Sequence, residues 1–158
     1  MTFKISSTAF GEGHMIPLEY SRGGGNISPP LEWNGIPDGT KSLALVVDDP
    51  DAPSGLFVHW ILFGIAPTLR RLERGQSTAS IPGVRSGRNG FGNQGYDGPQ
   101  PPEGTHRYYF HLYALDHDVN LKPGASRSEL DHAMEGHVLG HATMMGKFQR
   151  RMSGSSAA

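Results

Sequence analysis

The chain has 158 residues and a formal net charge of −1. Its length fits one domain with a buried core, and its balanced charge gives no electrostatic reason to expect nucleic acid or an anionic membrane as a partner. The sequence contains no cysteine, which excludes disulfides, thiol nucleophiles and cysteine-ligated metal sites.

The 22 glycines and 12 prolines fall between apolar runs, a pattern that favours many turns and long loops around short strands. No apolar run approaches the roughly 20 residues that a membrane span needs, and the first residues lack the apolar core of a secretory signal. We therefore expect a cytoplasmic, mainly β domain over residues 1–151, followed by a flexible C-terminal tail at 152–158.

Short runs of apolar residues predict a series of strands. Extended segments are expected over residues 3–10, 16–20, 28–33, 43–47, 57–65 and 107–115. The last three are apolar at both alternating positions, so they are predicted to be covered on both faces. Residues 81–105, rich in glycine, asparagine and proline, form a long loop of a kind that is usually functional or disordered.

One segment near the C-terminus has the apolar period of a helix. Its apolar stripe consists of Leu130, Ala133, Met134, His137 and Val138. Ser126 and Glu129 offer a capping box at the start, and Gly140 offers a stop. Extended structure is expected again over residues 142–149. The whole pattern predicts a β-sandwich with one late α-helix.

Three features could carry chemistry. Asp49 ends a buried strand, His59 lies in the middle of another, and His106 and Tyr108 are two apart and so project to one face of a third. A buried imidazole needs a hydrogen-bond partner, and Asp49 would fix its tautomer and leave the other ring nitrogen facing a pocket. Two imidazole N–H groups, a phenol hydroxyl and backbone amides near Gly98 would suit phosphate or carboxylate.

Each of these features also has a purely structural interpretation. His59 alone is as compatible with a hydrogen-bonded core residue as with a functional one, and residues 48–53 have the composition of a turn. From the residues alone, a functional site and a structural role both stay open.

A set of motifs in fixed order resembles one family. The motifs are Asn26–Trp33, Asp49–Pro53, Val58–Trp60, Gly98–Pro102 and Gly104–Tyr108. They resemble the phosphatidylethanolamine-binding proteins, and the compact length is similar to the bacterial and archaeal branch that is like Raf kinase inhibitor protein. The resemblance runs from about Phe3 to Arg151, nearly the whole chain.

The resemblance implies an antiparallel β-sandwich with a small pocket for phosphate- or carboxylate-bearing groups, such as a phospholipid head group. The residues that match the family's pocket are Asp49, His59, Gly98, Pro101, Pro102, His106 and Tyr108. It further implies a binding protein without cofactor or metal that modulates a protein partner such as a kinase or protease, and a homodimer. Two departures are the missing C-terminal helix of the animal proteins and Gln100, where related bacterial chains often carry cysteine.

Enzymatic alternatives use the same residues. Asp49 with His59 would serve as a general base in a metal-free hydrolase or isomerase. Asp49, His59 and His106 would form a two-histidine, one-carboxylate set suited to iron. His137 and His141, four residues apart, are a weaker candidate for zinc because the predicted helix ends between them.

Overall fold

Two antiparallel sheets face each other in a computed structural model that describes residues 2–150. The strands are β1 (Lys4–Ser6), β2 (Leu31–Asn34), β3 (Ser42–Asp49), β4 (Phe57–Ile65), β5 (Arg71–Leu72), β6 (Arg85–Ser86), β7 (Thr105–Leu115) and β8 (Val138–Gln149), with one helix, α1 (Arg127–Met134). The small sheet has the order β1-β2-β5 and the large sheet β6-β4-β3-β7-β8. The predicted antiparallel β-sandwich with a late helix is confirmed, and the predicted tail at 152–158 lies outside the described residues.

Strand β3 lies at the centre of the large sheet, and all eight of its residues are buried. Alternate side chains of β3 point to opposite sides of the sheet and belong to two different apolar clusters. Leu43, Leu45 and Val47 face the small sheet in the main core, whereas Ala44 and Val46 face α1 in a second cluster on the outer side. The continuous apolar run in the sequence reflects this double coverage, as predicted.

Three segments differ from the sequence-based expectation. Strand β7 was predicted to be covered on both faces, but its alternate positions are exposed or half-buried, so only one face is fully covered. Residues 18–20 form a 3-10 turn rather than a strand, with the Ser21 amide bonded back to the Leu18 carbonyl. The helix ends at Met134 instead of reaching Gly140, because Gly136 adopts a positive φ of 81° and β8 starts at Val138. A glycine in this left-handed region stops a helix.

The helix start matches the predicted capping box. The Ser126 hydroxyl accepts a hydrogen bond from the Glu129 amide at 3.0 Å, and the Glu129 carboxylate accepts one from the Ser126 amide at 2.9 Å. The helix holds Leu130 and Met134 against the outer face of the large sheet.

Replacing Ser126 with alanine should lower the free energy of unfolding by about 1 kcal/mol, because one helix-terminal amide loses its acceptor. Urea unfolding followed by circular dichroism measures this change. Ser128→Ala, an exposed serine two residues into the same helix, is the matched control and should change stability little. Equal effects of the two substitutions would contradict the capping role.

Candidate functional site

A cavity of about 250 Å³ opens on the inner side of the large sheet where β3, β4 and β7 come together. Its polar lining comes from Asp49, Ser54, His59, Gln100, His106 and Tyr108. The remaining lining is apolar: Ala52, Pro53, Phe57, Phe91, Pro101 and Pro102. Six of the seven residues predicted for the pocket therefore line one cavity.

His59 reaches this cavity because of a β-bulge. Strict alternation along β4 would place His59 on the side of Ile61, which packs in the outer cluster under α1. Instead, the register of β4 on β3 shifts between the pairs Val47–Trp60 and Asp48–Val58. The extra residue in β4 turns His59 to the inner side, as bulges commonly do near functional sites.

Asp49 and His106 form the shortest polar contact in the cavity. The Nδ1–H of His106 donates to Oδ2 of Asp49 at 2.6 Å, and both side chains are more than nine-tenths buried. The other carboxylate oxygen, Oδ1, accepts the amide of Asp51 at 2.7 Å. Asp49 thus orients a histidine, as expected, and that histidine is His106. The Asp49–His59 pair of the enzymatic alternative is wrong, because His59 bonds elsewhere.

His59 is held by main chain instead of by a carboxylate. Its Nδ1 lies 2.8 Å from the carbonyl oxygen of Asp97. A carbonyl can only accept, so Nδ1 carries the proton, and Nε2 of the neutral ring is an acceptor. Burial lowers the pKa of His59, although the Asp97 carbonyl and the charge of Asp49 act in the opposite direction. His59 therefore presents a lone pair to the cavity rather than the N–H expected from the sequence.

The buried hydroxyl of Tyr108 has no hydrogen bond of standard geometry. Among residues 2–150, its oxygen is the single buried side-chain polar atom in this position, although Asp49 lies close enough to interact with the hydroxyl. Burial raises the pKa of Tyr108, and the negative charge of nearby Asp49 raises it further, so the phenol stays protonated. An unpaired buried hydroxyl costs roughly 1–3 kcal/mol. Its position in the cavity makes it a donor available to a ligand.

Aromatic rings form one wall of the cavity. The centroid of the Phe57 ring lies 5.1 Å from that of His59 and 4.8 Å from that of Phe91, and Tyr108 meets His59 edge-on at 5.2 Å. The negative faces of such rings attract cations, including the ammonium groups of ligands.

A buried carboxylate behind this wall was not predicted from the sequence. The Asp97 carboxylate accepts hydrogen bonds from the side-chain amides of Asn26, Asn89 and Asn93 at 2.8–3.0 Å. Burial alone would raise the pKa of Asp97, but these bonds and the charge of Arg22 outweigh it and lower the pKa. The network joins the loop at residue 26 to the loop at residues 89–97.

The same network of side-chain amides also positions the main chain at residues 97 and 98, which bonds to His59. The Asn26 side chain accepts the Gly98 amide at 2.7 Å, and the Asp97 amide donates to the His59 carbonyl at 3.2 Å. Asn26 adopts a positive φ of 54°, which asparagine tolerates better than most residues. The sequence shows several asparagines in the loop, but their spacing does not indicate that their side chains bond to one carboxylate.

Gly98 differs from the other predicted pocket residues. It does not line the cavity, and its amide is used by Asn26 rather than facing a ligand. A side chain at this position would meet the Tyr20 carbonyl oxygen at 2.0 Å from Cβ, so a glycine is required for the close approach of two loops. Pro101 and Pro102 do line the cavity, as expected.

The neighbouring aspartates lie on different sides of the sheet. Asp48 points outward to Arg127 and His111, whose hydrogen bonds outweigh the effect of burial and lower its pKa. Asp51 binds the Arg107 guanidinium through both oxygens, and this lowers the pKa of Asp51 to about 2. Only Asp49 of the three contributes its carboxylate to the cavity lining.

The metal hypotheses are not supported by the geometry. Within residues 2–150, no group of three histidine, aspartate or glutamate side chains is arranged to hold a metal ion. Asp49 and His106 bond to each other, and His59 faces a carbonyl. The pairing of His137 with His141 at a zinc site is also wrong, because each histidine bonds to another residue.

The two histidines of that pair have other partners. His137 follows the helix and bonds to Asp116, and its exposed ring stacks on His117, which contradicts a packed position on an apolar helix stripe. His141 lies in β8 beside His111.

Comparison with known proteins identifies the family. The family model described as phosphatidylethanolamine-binding protein matches residues 6–149. The chain belongs to this family. Family membership supports a general function in ligand binding.

Relatives cover nearly all of the chain. An archaeal UPF0098 protein from Methanothermobacter thermautotrophicus is 49% identical over 148 residues, which are 92% of this chain and 98% of that protein. The crystal structure of the Chlamydia trachomatis homologue CT736 has a TM-score of 0.89 at 38% identity and covers 95% of this chain and 99% of its own. A Mycobacterium tuberculosis protein named as a lipoprotein, LppC, is 45% identical over 92% of this chain and 71% of its own length.

Asp97→Asn should destabilise the fold by about 2–3 kcal/mol near neutral pH, because an amide nitrogen would face the donors that the carboxylate now accepts. Asn26 and Asn89 cannot turn to compensate, since their side-chain oxygens already accept backbone amides. Urea unfolding measures the loss. Asp38→Asn, at an exposed position, is the control and should have little effect.

The difference between wild type and Asp97→Asn should depend on pH. The folded-state pKa of Asp97 is lowered, so its stabilisation is complete above the unfolded pKa of about 3.9 and is lost as pH falls through the folded value. The two unfolding curves should therefore converge in acid. A difference that stays constant down to the lowest accessible pH would contradict the ionised state of Asp97.

Proposed function

We propose that the cavity binds a small ligand with a phosphate or carboxylate group, of the kind found in a phospholipid head group. The observation that carries the proposal is the unpaired Tyr108 hydroxyl beside the His106–Asp49 pair. A buried donor that lacks an acceptor in the free protein is stabilised when a ligand oxygen accepts its hydrogen bond.

Each polar group has a distinct part in this proposal. Tyr108 donates to a ligand oxygen. His106 donates through Nε2 when its ring takes up a second proton, and the Asp49 carboxylate balances the resulting charge. His59 accepts through Nε2, from a protonated phosphate oxygen or from an ammonium such as that of ethanolamine, next to the aromatic wall.

Tyr108→Phe should separate binding from stability. Removal of the hydroxyl should weaken binding of inorganic phosphate roughly tenfold, because one donor is lost, while the free protein keeps or gains stability by about 1 kcal/mol. Calorimetric titration and thermal unfolding measure the two effects. Tyr96→Phe is the matched control, since the Tyr96 hydroxyl donates to the Tyr20 carbonyl at 2.6 Å and its loss should lower stability.

The first test of the function is titration of phosphoethanolamine and inorganic phosphate into metal-stripped protein. Wild-type binding that is lost in His106→Ala would support the proposal. Binding only after iron or zinc is restored would overturn the metal-free site. Failure of every anion to bind in both states would overturn the ligand-binding proposal itself and leave a protein partner as the function to test.

A second candidate function is metal-free acid–base catalysis. The 2.6 Å contact between Asp49 and His106 is the observation that favours it, because a carboxylate that orients a histidine makes that ring a general base. The pair differs from the expected Asp49–His59 base. Incubation with phosphate and carboxylate esters, followed by product detection with wild type and His106→Ala, distinguishes turnover from simple binding.

We also propose a cytoplasmic homodimer that modulates a protein partner such as a kinase or protease, as the family resemblance suggests. No helix within residues 2–150 is long and apolar enough to cross a membrane. The relative named as a lipoprotein makes location a property to measure for this chain. Cell fractionation and light scattering on the purified protein test the location and the dimer.

A further inference from the structure

The cavity has a shortage of positive charge for a doubly ionised phosphate. No lysine or arginine is among its lining residues, and Asp49 brings a negative charge. His59 is held neutral by burial, which lowers its pKa. A phosphate dianion in this cavity therefore meets hydrogen-bond donors but little counter-charge, and the cost of its desolvation must be offset from nearby.

Arg22 is a cation in contact with two residues that line the cavity. Its guanidinium carbon lies 3.9 Å from the ring centroid of Phe91, and its Nη1 donates to Oε1 of Gln100 at 3.0 Å. Both Phe91 and Gln100 line the cavity. The ring fixes the plane of the guanidinium, and the amide fixes the direction of one N–H.

The charge of Arg22 acts on Asp97 without a hydrogen bond. Its Nε lies 3.7 Å from Oδ1 of Asp97, beyond hydrogen-bond distance, and that carboxylate already accepts three side-chain amides. Its partner Gln100 is neutral. The Arg22 side chain is 36% exposed, and a guanidinium has five N–H donors in a planar fork that matches phosphate.

We infer that Arg22 is a specificity residue of the cavity, which attracts and holds the outer oxygens of a phosphate monoester and favours it over a singly charged carboxylate. This inference rests on the proposed ligand-binding function. In the free protein, Oε1 of Gln100 is the acceptor for Nη1 of Arg22. A phosphate that extends from Tyr108 toward Gln100 replaces this neutral acceptor with a charged oxygen.

Arg22→Gln tests the inference by calorimetric titration with inorganic phosphate and acetate. Removal of the charge should weaken phosphate binding roughly tenfold at low salt, the size expected for one charge-assisted hydrogen bond. Acetate binding should change only about twofold, because a single charge gains less from the same cation. The salt dependence of phosphate binding should also decrease, since a partly exposed charge is screened by ions.

Arg71→Gln is the matched control. It makes the same change in net charge at an exposed arginine that pairs with Glu73 in the region of the small sheet. Thermal unfolding of both variants checks their fold. If Arg22→Gln is not folded, Arg22→Lys keeps the charge without the planar fork, and it should retain the salt dependence while phosphate affinity falls severalfold.

The outcomes separate this inference from the function on which it rests. Phosphate binding that weakens in Arg22→Gln, but not in Arg71→Gln, supports it. Wild-type phosphate binding with equal affinity and salt dependence in the two variants overturns the role of Arg22 and leaves the ligand-binding function standing. Absence of phosphate and acetate binding in the wild type overturns both.

Discussion

The site depends on the hydrogen bonds that three asparagine side chains donate to the buried carboxylate of Asp97. Residues 81–105 contain few apolar side chains, so hydrophobic burial contributes little to their order. Three asparagine amides instead converge on one carboxylate, and the carbonyl of the same residue holds the His59 ring. A buried charge must be fully hydrogen-bonded to be tolerated, so the loops can adopt few other arrangements. The order of the cavity wall follows from this requirement.

The cavity combines a rigid frame with incomplete hydrogen bonding. Asp49 and His59 are each held by their neighbours, whereas the Tyr108 hydroxyl has no acceptor. A protein can retain the free-energy cost of an unsatisfied hydroxyl at a site where a ligand supplies the acceptor. The cavity also combines acceptors and donors: His59 and Asp49 accept hydrogen bonds, and Tyr108 donates. Such a set suits ligands that carry both an anionic oxygen and a donor group.

Much of the site could be predicted from residues and motifs. The strand alternation that brings His106 and Tyr108 to one face was predicted and is observed, because β7 is regular across these positions. The partners of the histidines could not be predicted. Strands β4 and β7 both lie beside β3, so strand order alone does not select the partner of Asp49. His106 on β7 bonds to Asp49, whereas the His59 ring on β4 bonds to a loop carbonyl 38 residues further along the chain. Sequence distance carries no information on such contacts.

The sequence by itself determined the apolar strand β3, which is covered on both faces, the capping box at Ser126 and the position of Asp49 at the end of a buried strand, since these depend on local pattern and backbone preference. The tertiary structure alone decided the direction of His59, through one extra residue in the register of β4, and the convergence of the asparagines on Asp97. A bulge and a buried network arise from the packing of segments far apart in the chain. No local pattern encodes them.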